Sequence, residues 1–393
     1  MNHTQRVQVP QIETKSSMIR DLTRRSSALG AVNLSQGFPD DGPPAEIIKL
    51  ITEVSRVPTA HQYSDPRGTP ALRKAIAKKL HDFNGIDADP DHNIVVTCGA
   101  TEALMDTFQA VFVPGDQIIA FSPVYENYFH QAKAAGLTLA TVELSEPNFT
   151  VSLAELERVW SERVRAILVC NPCNPTGKVF TREELEQISS FAERHNLLII
   201  SDETYERFIW RGAHVSIASL PKAKGRTISI FSMGKTYSVT GWRVGYVVAD
   251  DPCIGPIAMK HDFATVCAPH VCQLALAAAL ELPESFYSDM LRRYSERKST
   301  LVNALVSAGL NPWNPAGSYF LWCEYSQLTA ESDITFADRL LTKAGVAGVP
   351  GRVFYPDSQT MRKRIRFTFS KSLPTIAEAA NRLATCRDRL IKN

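Results

Sequence analysis

Short apolar runs rich in β-branched residues alternate with longer segments of helical spacing through the middle of the 393-residue chain. Runs that are apolar throughout predict strands buried on both faces, and helices between them predict a mostly parallel sheet covered on both sides. The predicted strands are residues 94–97, 117–121, 166–170, 197–201, 227–231 and 244–248. The predicted helices include residues 102–112, 125–135 and 182–196. The sequence therefore predicts an α/β fold.

The chain is longer than one hydrophobic core usually serves, so more than one domain is expected. From about residue 285 the pattern changes to a long charged helix, 285–308, followed by short strands at 318–323, 346–349 and 365–369. We predict a large domain over residues 41–284 and a smaller α+β domain over 285–393. We also predict an N-terminal segment, residues 1–40, that contains a helix over 16–29 and packs on the small domain.

The charge of the chain is nearly balanced, with 43 Lys and Arg against 41 Asp and Glu and a formal net charge of +2. This balance gives no electrostatic reason to expect nucleic acid or an anionic membrane surface as a partner. Eight cysteines are too few for a disulfide scaffold. No run approaches the roughly 18 apolar residues of a membrane span. We expect a cytoplasmic protein with reduced thiols and with neither a membrane nor a nucleic-acid partner.

Polar residues follow four of the predicted strands, where ligands bind in open α/β sheets. Lys235 lies in SMGKT, just past strand 227–231. A surface position is the commoner place for such a lysine, because burying an ammonium is costly. The adjacent glycine and hydroxyls favour a polar pocket, in which a lysine of lowered pKa is the usual Schiff-base former. Two overlapping patterns fail: SxxK has no SDN or KTG partner, and GKT lacks the first glycine of a P-loop, because Ser229 occupies that position.

Three further groups next to predicted strands are candidates for binding a ligand. Asp202 ends strand 197–201, where it is either a helix cap or a carboxylate held against a pyridinium nitrogen, which keeps the ring an electron sink. GATEAL, residues 99–104, is a glycine turn that opens a helix, and its N–H groups and dipole favour phosphate. Arg243 would add a charged phosphate contact, although a surface arginine before a strand is the simpler interpretation.

Two more segments offer fixed polar side chains. The prolines and glycine of NPCNPTG, residues 171–177, predict a rigid turn that presents Asn174 as a donor. A C-x-x-C pair, Cys170 and Cys173, overlaps this turn without a second cysteine or histidine pair, so we predict no metal site. Arg366 lies in a period-two strand, where it either faces solvent, as Arg364 can, or clamps a carboxylate.

The blocks NPCNPTGK, SDETYE, SMGKTYSVTGWRVGY and IRFTFSK, in this order, resemble the signature blocks of fold-type I, class I/II aminotransferases. The resemblance extends from about Asn33 to the C-terminus. It implies a large domain with a seven-stranded, mostly parallel sheet sandwiched by helices, and a smaller α+β domain.

The branch of the family is indicated by NLSQGFPDDGPP and GATEAL, which most resemble the kynurenine/glutamine/methionine aminotransferases. This resemblance implies uncharged, sulfur-containing or aromatic amino acids as substrates, and no second arginine stands out for a dicarboxylate side chain. Asp40-Asp41-Gly42 stands where relatives usually carry an aromatic residue, which leaves side-chain selectivity open.

The resemblance also implies the residues that bind the cofactor of these enzymes, pyridoxal 5'-phosphate. Lys235 is expected to form the Schiff base and to move a proton between substrate and cofactor, while Asp202 pairs with the ring nitrogen. The other cofactor contacts are Tyr125 stacked on the ring, Asn174 and Tyr205 on the phenolic oxygen, and Gly99, Ala100, Thr101, Ser232 and Arg243 around the phosphate.

Substrate contacts and the assembly are implied by the same resemblance. Arg366 matches the clamp for the α-carboxylate, and Gly37 and Asn174 match further substrate contacts. Tyr63 matches a tyrosine that reaches the phosphate from the neighbouring subunit, which implies an obligate homodimer. The substrates are an amino acid and a 2-oxo acid, which react in turn by a ping-pong mechanism.

Lys235 and Asp202 serve several chemistries on the same scaffold, so transamination has alternatives. One is a lyase that eliminates a β- or γ-substituent, and another is a specialised enzyme that performs cyclisation or oxidation. An aminotransferase-like regulator would carry an added DNA-binding domain, and only residues 1–32 precede the resemblance. We therefore favour an enzyme, with transamination as the leading hypothesis.

Overall fold

The computed structural model of the protein describes residues 17–356, 362–386 and 390, so the predicted N-terminal segment before residue 17 lies outside the described residues. The described strands are β1 (Val32–Asn33), β2 (Ile94–Thr97), β3 (Gln117–Ser122), β4 (Thr138–Glu143), β5 (Val164–Cys170), β6 (Leu198–Asp202), β7 (Thr227–Ser232), β8 (Gly245–Val248), β9 (Asn311–Pro312), β10 (Phe320–Glu324), β11 (Val346–Ala347), β12 (Val349–Pro350) and β13 (Arg364–Thr368).

The described α-helices are α1 (Met18–Leu29), α2 (Ala45–Val54), α3 (Pro70–Lys79), α4 (Ala100–Val111), α5 (Glu126–Ala134), α6 (Leu153–Val159), α7 (Arg182–Arg194), α8 (Met233–Thr236), α9 (Ile254–Thr265), α10 (His270–Ala279), α11 (Glu284–Ser307), α12 (Asp333–Arg339) and α13 (Leu373–Ala384). Short 3-10 turns lie at Pro58–His61, Ile217–Ser219, Thr240–Trp242 and Gly351–Phe354, and π-helical turns at Leu80–Asn84 and Leu340–Ala344. Among the described helices, none combines the length and apolar character that crossing a membrane requires.

Seven strands form the large sheet, in the order β2-β8-β7-β6-β5-β3-β4. Of these, β8 runs antiparallel to both of its neighbours, and the other pairs are parallel. The predicted seven-stranded, mostly parallel α/β sheet is therefore confirmed. Within this sheet, the strand that was not predicted is β4, an edge strand whose two ends, Thr138 and Glu143, are exposed. Its polar residues interrupt the apolar run that identifies the central strands.

Local sequence explains where two flanking helices begin. At the start of α7, Thr181 Oγ1 accepts from the Glu184 N–H while the Glu184 carboxylate accepts from the Thr181 N–H, a capping box. Before α4, Gly99 has a φ of +86°, in the left-handed region that favours glycine. The helices predicted at 102–112, 125–135 and 182–196 are α4, α5 and α7, with ends within two residues of the prediction.

A second sheet follows α11, with four antiparallel strands in the order β12-β13-β10-β9. A separate pair joins β1 to β11 in parallel. The prediction of one strand over 346–349 is wrong, because β11 and β12 belong to these different sheets. Gly348 separates them, and a Cβ added there would lie 2.6 Å from the Phe367 ring, so the chain changes sheets where only glycine fits.

The two sheets bring the predicted functional segments to one side of the molecule. In the large sheet β5, β6 and β7 are adjacent and parallel, so their carboxyl ends meet at one edge, with Cys170 opposite Asp202 and Asp202 opposite Ile230. In the second sheet Arg366 of β13 lies opposite Trp322 of β10. A cavity opens between these two sets of residues.

Candidate active site

A cavity of about 370 Å³ lies at the carboxyl ends of the central strands. Its walls come from the ends of β5, β6 and β7, the first turns of α4 and α5, residues 36–38, and β10 and β13. Most of the predicted site residues line it: Gly37, Ala100, Thr101, Tyr125, Asn174, Asp202, Tyr205, Ser232, Lys235, Arg243 and Arg366. The sequence blocks that are far apart in the chain therefore form one site.

Lys235 lies in the short helix α8, directly after β7, with its side chain turned into the cavity. Its Nζ atom donates to the Gly37 carbonyl oxygen at 3.4 Å. Burial, and then the positive charge of Arg243, lower the pKa of Lys235 to about 8, although Asp202 opposes this shift. With this pKa about a tenth of the amine is neutral at pH 7, which is the nucleophilic form that a lysine catalyst needs.

Asp202 is the last residue of β6, and both of its carboxylate oxygens are hydrogen-bonded. Oδ1 accepts from the Thr204 N–H at 3.0 Å, and Oδ2 accepts from the Tyr128 hydroxyl at 2.5 Å. Burial, followed by the charge of Asp202, raises the pKa of Tyr128 well above its usual value, so this hydroxyl remains a donor. The carboxylate is thus fixed in one orientation at the floor of the cavity.

The turn Gly99–Thr101 and Arg243 lie against each other. The Arg243 Nη2 atom donates to the Cys98 carbonyl oxygen at 3.2 Å, and Nη1 donates to the Thr240 carbonyl oxygen at 3.1 Å. A Cβ at Gly99 would overlap the Arg243 guanidinium, so glycine is required for this approach. Gly99 precedes α4, and the first two residues of that helix, Ala100 and Thr101, line the cavity, at the helix end where backbone N–H groups lack intrahelical partners. An arginine beside a helix N-terminus is a favourable arrangement for a phosphate.

Arg366 is 1% exposed and forms the opposite wall of the cavity. Its Nη1 atom donates to the Asn174 side-chain oxygen at 2.7 Å, and Nη2 donates to the Ser35 carbonyl oxygen at 2.6 Å. Both acceptors are uncharged, and the Nε atom has no hydrogen-bond partner among the described residues. Burial lowers the pKa of Arg366 to about 10, which still leaves it cationic at neutral pH. A buried cation without a carboxylate acceptor among its hydrogen-bond partners is suited to bind one from a ligand.

Two predicted residues do not line the cavity. Gly99 lies just behind its wall, in contact with Arg243. Tyr63 lies elsewhere on the surface, with 79% of its side chain exposed. The predicted role of Tyr63 requires a second subunit, so its position within one chain does not test that role.

Four residues that support the site were not predicted from the sequence. Tyr128 holds Asp202, and Ser35 offers its carbonyl to Arg366. Tyr319 donates to the Gly37 carbonyl at 2.8 Å, and Lys371 donates to the Phe38 carbonyl at 2.8 Å. Only Tyr128 carried a usable signal, because it follows Tyr125 by three residues at the start of a helix and so shares its face.

The outer part of the cavity carries charges that the sequence did not single out. Arg20 of α1 and His130 of α5 are exposed lining residues, and Glu126, the first residue of α5, is half-buried. The Ser17 hydroxyl donates to the Glu126 carboxylate. Arg20 is therefore a third arginine of the cavity lining, in addition to Arg243 and Arg366, and it lies at the solvent-exposed end.

Cys170 and Cys173, the C-x-x-C pair, are free thiols in the structure. Cys170 Sγ lies 3.6 Å from the Pro172 carbonyl oxygen, and Cys173 Sγ lies 3.9 Å from that of Pro123. Both side chains are buried, and Cys170 forms part of the cavity floor next to Tyr128.

Comparison with known proteins agrees with this geometry. Residues 30–383 match the family described as Aminotransferase class I and II. The chain belongs to this family. It is 36% identical over 355 residues to the methionine aminotransferase of Escherichia coli (strain K12), covering 90% of this chain and 91% of that protein. It is 33% identical to the aspartate aminotransferase of Thermotoga maritima, covering 90% of each chain. The solved structure of an Escherichia coli protein with methionine aminotransferase function superimposes with a TM-score of 0.90 at 33% identity, covering 96% of this chain and 99% of that one.

The predicted enzyme class is confirmed by these relatives. They are aminotransferases, so transamination is supported over the lyase alternative. The fold-type I prediction is confirmed for the same reason, since the aminotransferase fold extends over nearly the whole chain. As a class I/II aminotransferase, the protein acts on an amino acid and a 2-oxo acid.

Proposed function

We propose that this aminotransferase binds pyridoxal 5'-phosphate in the 370 Å³ cavity and is covalently attached to it through Lys235. The observation that carries the proposal is the convergence of three groups on one cavity: the Lys235 amine, the fixed Asp202 carboxylate, and Arg243 beside the N-terminus of α4. These are the partners that an aldehyde, a pyridine nitrogen and a phosphate require. The residues present therefore fit this cofactor.

The phosphate would be held by Gly99, Ala100, Thr101, Ser232 and Arg243. Support comes from the glycine-dependent contact between Gly99 and Arg243. The first turn of α4 adds unpaired N–H groups and the positive end of its dipole. Together they offer several donors and one full positive charge to a dianion.

The ring would lie between Tyr125 and the strand ends, with Asn174 and Tyr205 hydrogen-bonded to its phenolic oxygen. Asp202 would keep a proton on the ring nitrogen, and the Tyr128 hydroxyl would fix the orientation of that carboxylate. When bound, the cofactor supplies an electron sink for the negative charge that develops at the substrate Cα.

Substrate would be oriented by Arg366, whose guanidinium would bind the α-carboxylate, with Asn174 and the Gly37 backbone as further contacts. Lys235, as the neutral amine, would take the proton from Cα and return it on the other side of the reaction. Because burial lowers the pKa of the amine to about 8, it can both accept and release a proton at modest cost.

We further propose that the amino donors are uncharged, sulfur-containing or aromatic amino acids and that transfer to the 2-oxo acid is ping-pong. Apolar side chains of Ile19, Phe38, Leu104 and Phe320 in the cavity lining support this donor class. The two relatives described above use methionine and aspartate, so a donor screen is the direct test.

We propose a homodimer in which Tyr63 of each subunit reaches the cofactor phosphate of the other. Support comes from large side chains left exposed within one chain: Tyr63 at 79%, Phe263 at 85% and Met259 at 62%. Phe263 and Met259 lie one turn apart on α9, so they form one apolar face.

Mixing inactive Tyr63→Ala and Lys235→Ala subunits should restore activity, because one site of the mixed dimer is intact. No recovery, with dimers present in sedimentation, would contradict the shared site.

The division into residues 1–40, 41–284 and 285–393 is kept as a proposal. It is supported by the separate large and four-stranded sheets on either side of α11. A cytoplasmic location is likewise proposed, in keeping with eight free thiols.

The decisive experiment adds pyridoxal 5'-phosphate to the purified apoprotein and follows the visible absorbance band. Borohydride reduction and peptide mapping should find the cofactor on Lys235, and Lys235→Ala should lose the band. Attachment to another lysine would overturn the assignment. With amino acid but no 2-oxo acid, the band should disappear after one turnover, whereas continuous release of ammonia would indicate a lyase.

A further inference from the structure

Glu102 is the third residue of α4, and its carboxylate is held by three donors. Oε2 accepts from the Cys98 backbone N–H and lies 3.1 Å from His261 Nδ1, and Oε1 accepts from the Thr265 hydroxyl at 2.8 Å. His261 is completely buried. Burial alone would raise the pKa of Glu102, but the hydrogen bonds from His261, Cys98 and Thr265 outweigh it and the pKa is lowered. Glu102 is therefore a charged carboxylate that accepts hydrogen bonds at both of its oxygens.

The bond from Cys98 to Glu102 is important because Cys98 directly precedes the turn that opens α4, formed by Gly99, Ala100 and Thr101. The Cys98 residue is held on both sides, since its N–H donates to Glu102 and its carbonyl accepts from Arg243 at 3.2 Å. Glu102 thus fixes the start of the turn and, through the same residue, one contact of Arg243.

The other two partners of Glu102 belong to α9. His261 and Thr265 lie one turn apart on that helix, so they present their side chains to α4 together. Between them, on the same helix, Phe263 points outward and is 85% exposed. Glu102 therefore links the turn at the start of α4 to the helix that carries the exposed apolar face.

Asp106, one turn further along α4, lies close to the same histidine and raises the question of a metal site. Ligand atoms of Glu102, Asp106 and His261 lie within 4.8 Å of one another. Both Glu102 oxygens already accept hydrogen bonds, so a metal would compete with the donors of Cys98, His261 and Thr265. The arrangement favours a positioning role for Glu102.

We propose that Glu102 is a positioning residue for the cofactor phosphate, which holds the turn Gly99–Thr101 and Arg243 in the geometry that binds it. The inference rests on the proposed function, in which this turn and Arg243 contact the phosphate. Loss of the carboxylate frees the Cys98 N–H and leaves His261 and Thr265 without their acceptor, so the turn relaxes away from the phosphate.

The test compares the dissociation constants of pyridoxal 5'-phosphate and of pyridoxal, which lacks the phosphate, in the apoprotein. Glu102→Gln should raise the dissociation constant of pyridoxal 5'-phosphate by about tenfold, and Glu102→Ala should raise it by up to about a hundredfold. The dissociation constant of pyridoxal should change little in both variants. Asp106→Asn is the matched control, because it changes a buried carboxylate on the same helix whose Oδ2 atom has no hydrogen-bond partner among the described residues, and it should leave both constants unchanged. An unchanged ratio in both Glu102 variants would overturn the inference.

A second pair of variants guards against misfolding. His261→Asn keeps a donor near Nδ1 and should retain the preference for the phosphorylated ligand, whereas His261→Ala should lose part of it while thermal unfolding remains cooperative. Equal loss in both would contradict the role of that hydrogen bond. Failure of the proposed function has a different signature, since the wild-type protein would then bind pyridoxal as tightly as its phosphate and Arg243→Ala would change neither constant.

Discussion

The inner and outer halves of the cavity are built differently. The inner half consists of residues in the strands of the two sheets and in the segments that directly follow them, and its charged groups Asp202 and Arg366 are hydrogen-bonded to neighbours within the chain. The outer half consists of helix residues whose side chains face solvent, with Arg20 and His130 exposed. Charges in the inner half are held in place and poorly screened, whereas those in the outer half can move and are screened by water.

This difference separates two tasks that an aminotransferase must perform on more than one substrate. Bond making at Cα needs atoms held within fractions of an ångström, which the sheet provides. Acceptance of two different side chains in turn needs a surface that can adjust. We therefore expect substitutions in the inner half to lower activity with every substrate, and those in the outer half to change the ranking of substrates.

The largest effect is expected at Asp202. Asp202→Ala should lower kcat by about 10²- to 10³-fold for every amino donor, because the protonated ring nitrogen loses its anionic partner. Tyr128→Phe removes only the hydrogen bond that orients the carboxylate and should cost much less. Steady-state rates with three donors would measure both, and a Tyr128→Phe enzyme as impaired as Asp202→Ala would show that orientation, not charge, is the essential property.

Arg366 should have the next largest effect. Arg366→Lys keeps the charge but loses the planar fork, so kcat/KM should fall by about ten- to a hundredfold with all amino acids and all 2-oxo acids alike. Arg364→Lys on the same strand is the matched control, since Arg364 pairs with Glu146 and Glu324 outside the cavity. If kcat/KM fell with only one class of substrate, Arg366 would contribute to selectivity, as we expect of the outer half, and not to binding every substrate.

The pH dependence of cofactor capture should follow the ionisation of Lys235. Burial lowers the pKa of Lys235 to about 8. Below that pH the fraction of neutral amine increases about tenfold per pH unit, and above it nearly all of the amine is neutral. The rate at which the apoprotein captures pyridoxal 5'-phosphate, measured by stopped flow, should therefore rise up to about pH 8 and then level off. Because the charge of Asp202 raises this pKa, Asp202→Asn should move the plateau to lower pH. A rate that still climbs steeply to pH 10 would indicate an unperturbed lysine.

The inner half was also the half that the sequence predicted well. Lys235, Asp202 and Asn174 follow apolar runs, so their place at the sheet edge can be inferred from strand prediction and the parallel order of β5, β6 and β7. The sequence left two positions open for Arg366, the solvent-facing side of its strand or the site. An alternating pattern shows that a strand has two faces but does not show which face is covered. Its burial depends on contacts with Asn174 and Ser35, which lie far away in the chain.

The outer half was not predictable in the same way. Arg20 and Glu126 lie on helices, where a charged residue normally faces solvent. Nothing in the neighbouring sequence indicates that these helix faces line a cavity. Two buried supporting residues, Tyr128 and Lys371, were not predicted either, because they act through partners more than 70 residues away in sequence. Such long-range pairs become visible only when the chain has folded, whereas a residue that ends a buried strand is marked by the strand itself.

Arg20 should give the smallest effect and the most selective one. Its guanidinium is exposed, so a charge pair with a substrate carboxylate is worth under about 1 kcal/mol, or up to about fivefold in KM. Arg20→Gln should raise KM for dicarboxylate 2-oxo acids by that amount and leave monocarboxylate acceptors unchanged, and added salt should reduce the difference. Arg24→Gln, on the same helix but outside the cavity lining, is the control. If KM rose equally for both classes of acceptor, Arg20 would act on every substrate, as we expect of the inner half. The proposed difference between the two halves would then be wrong.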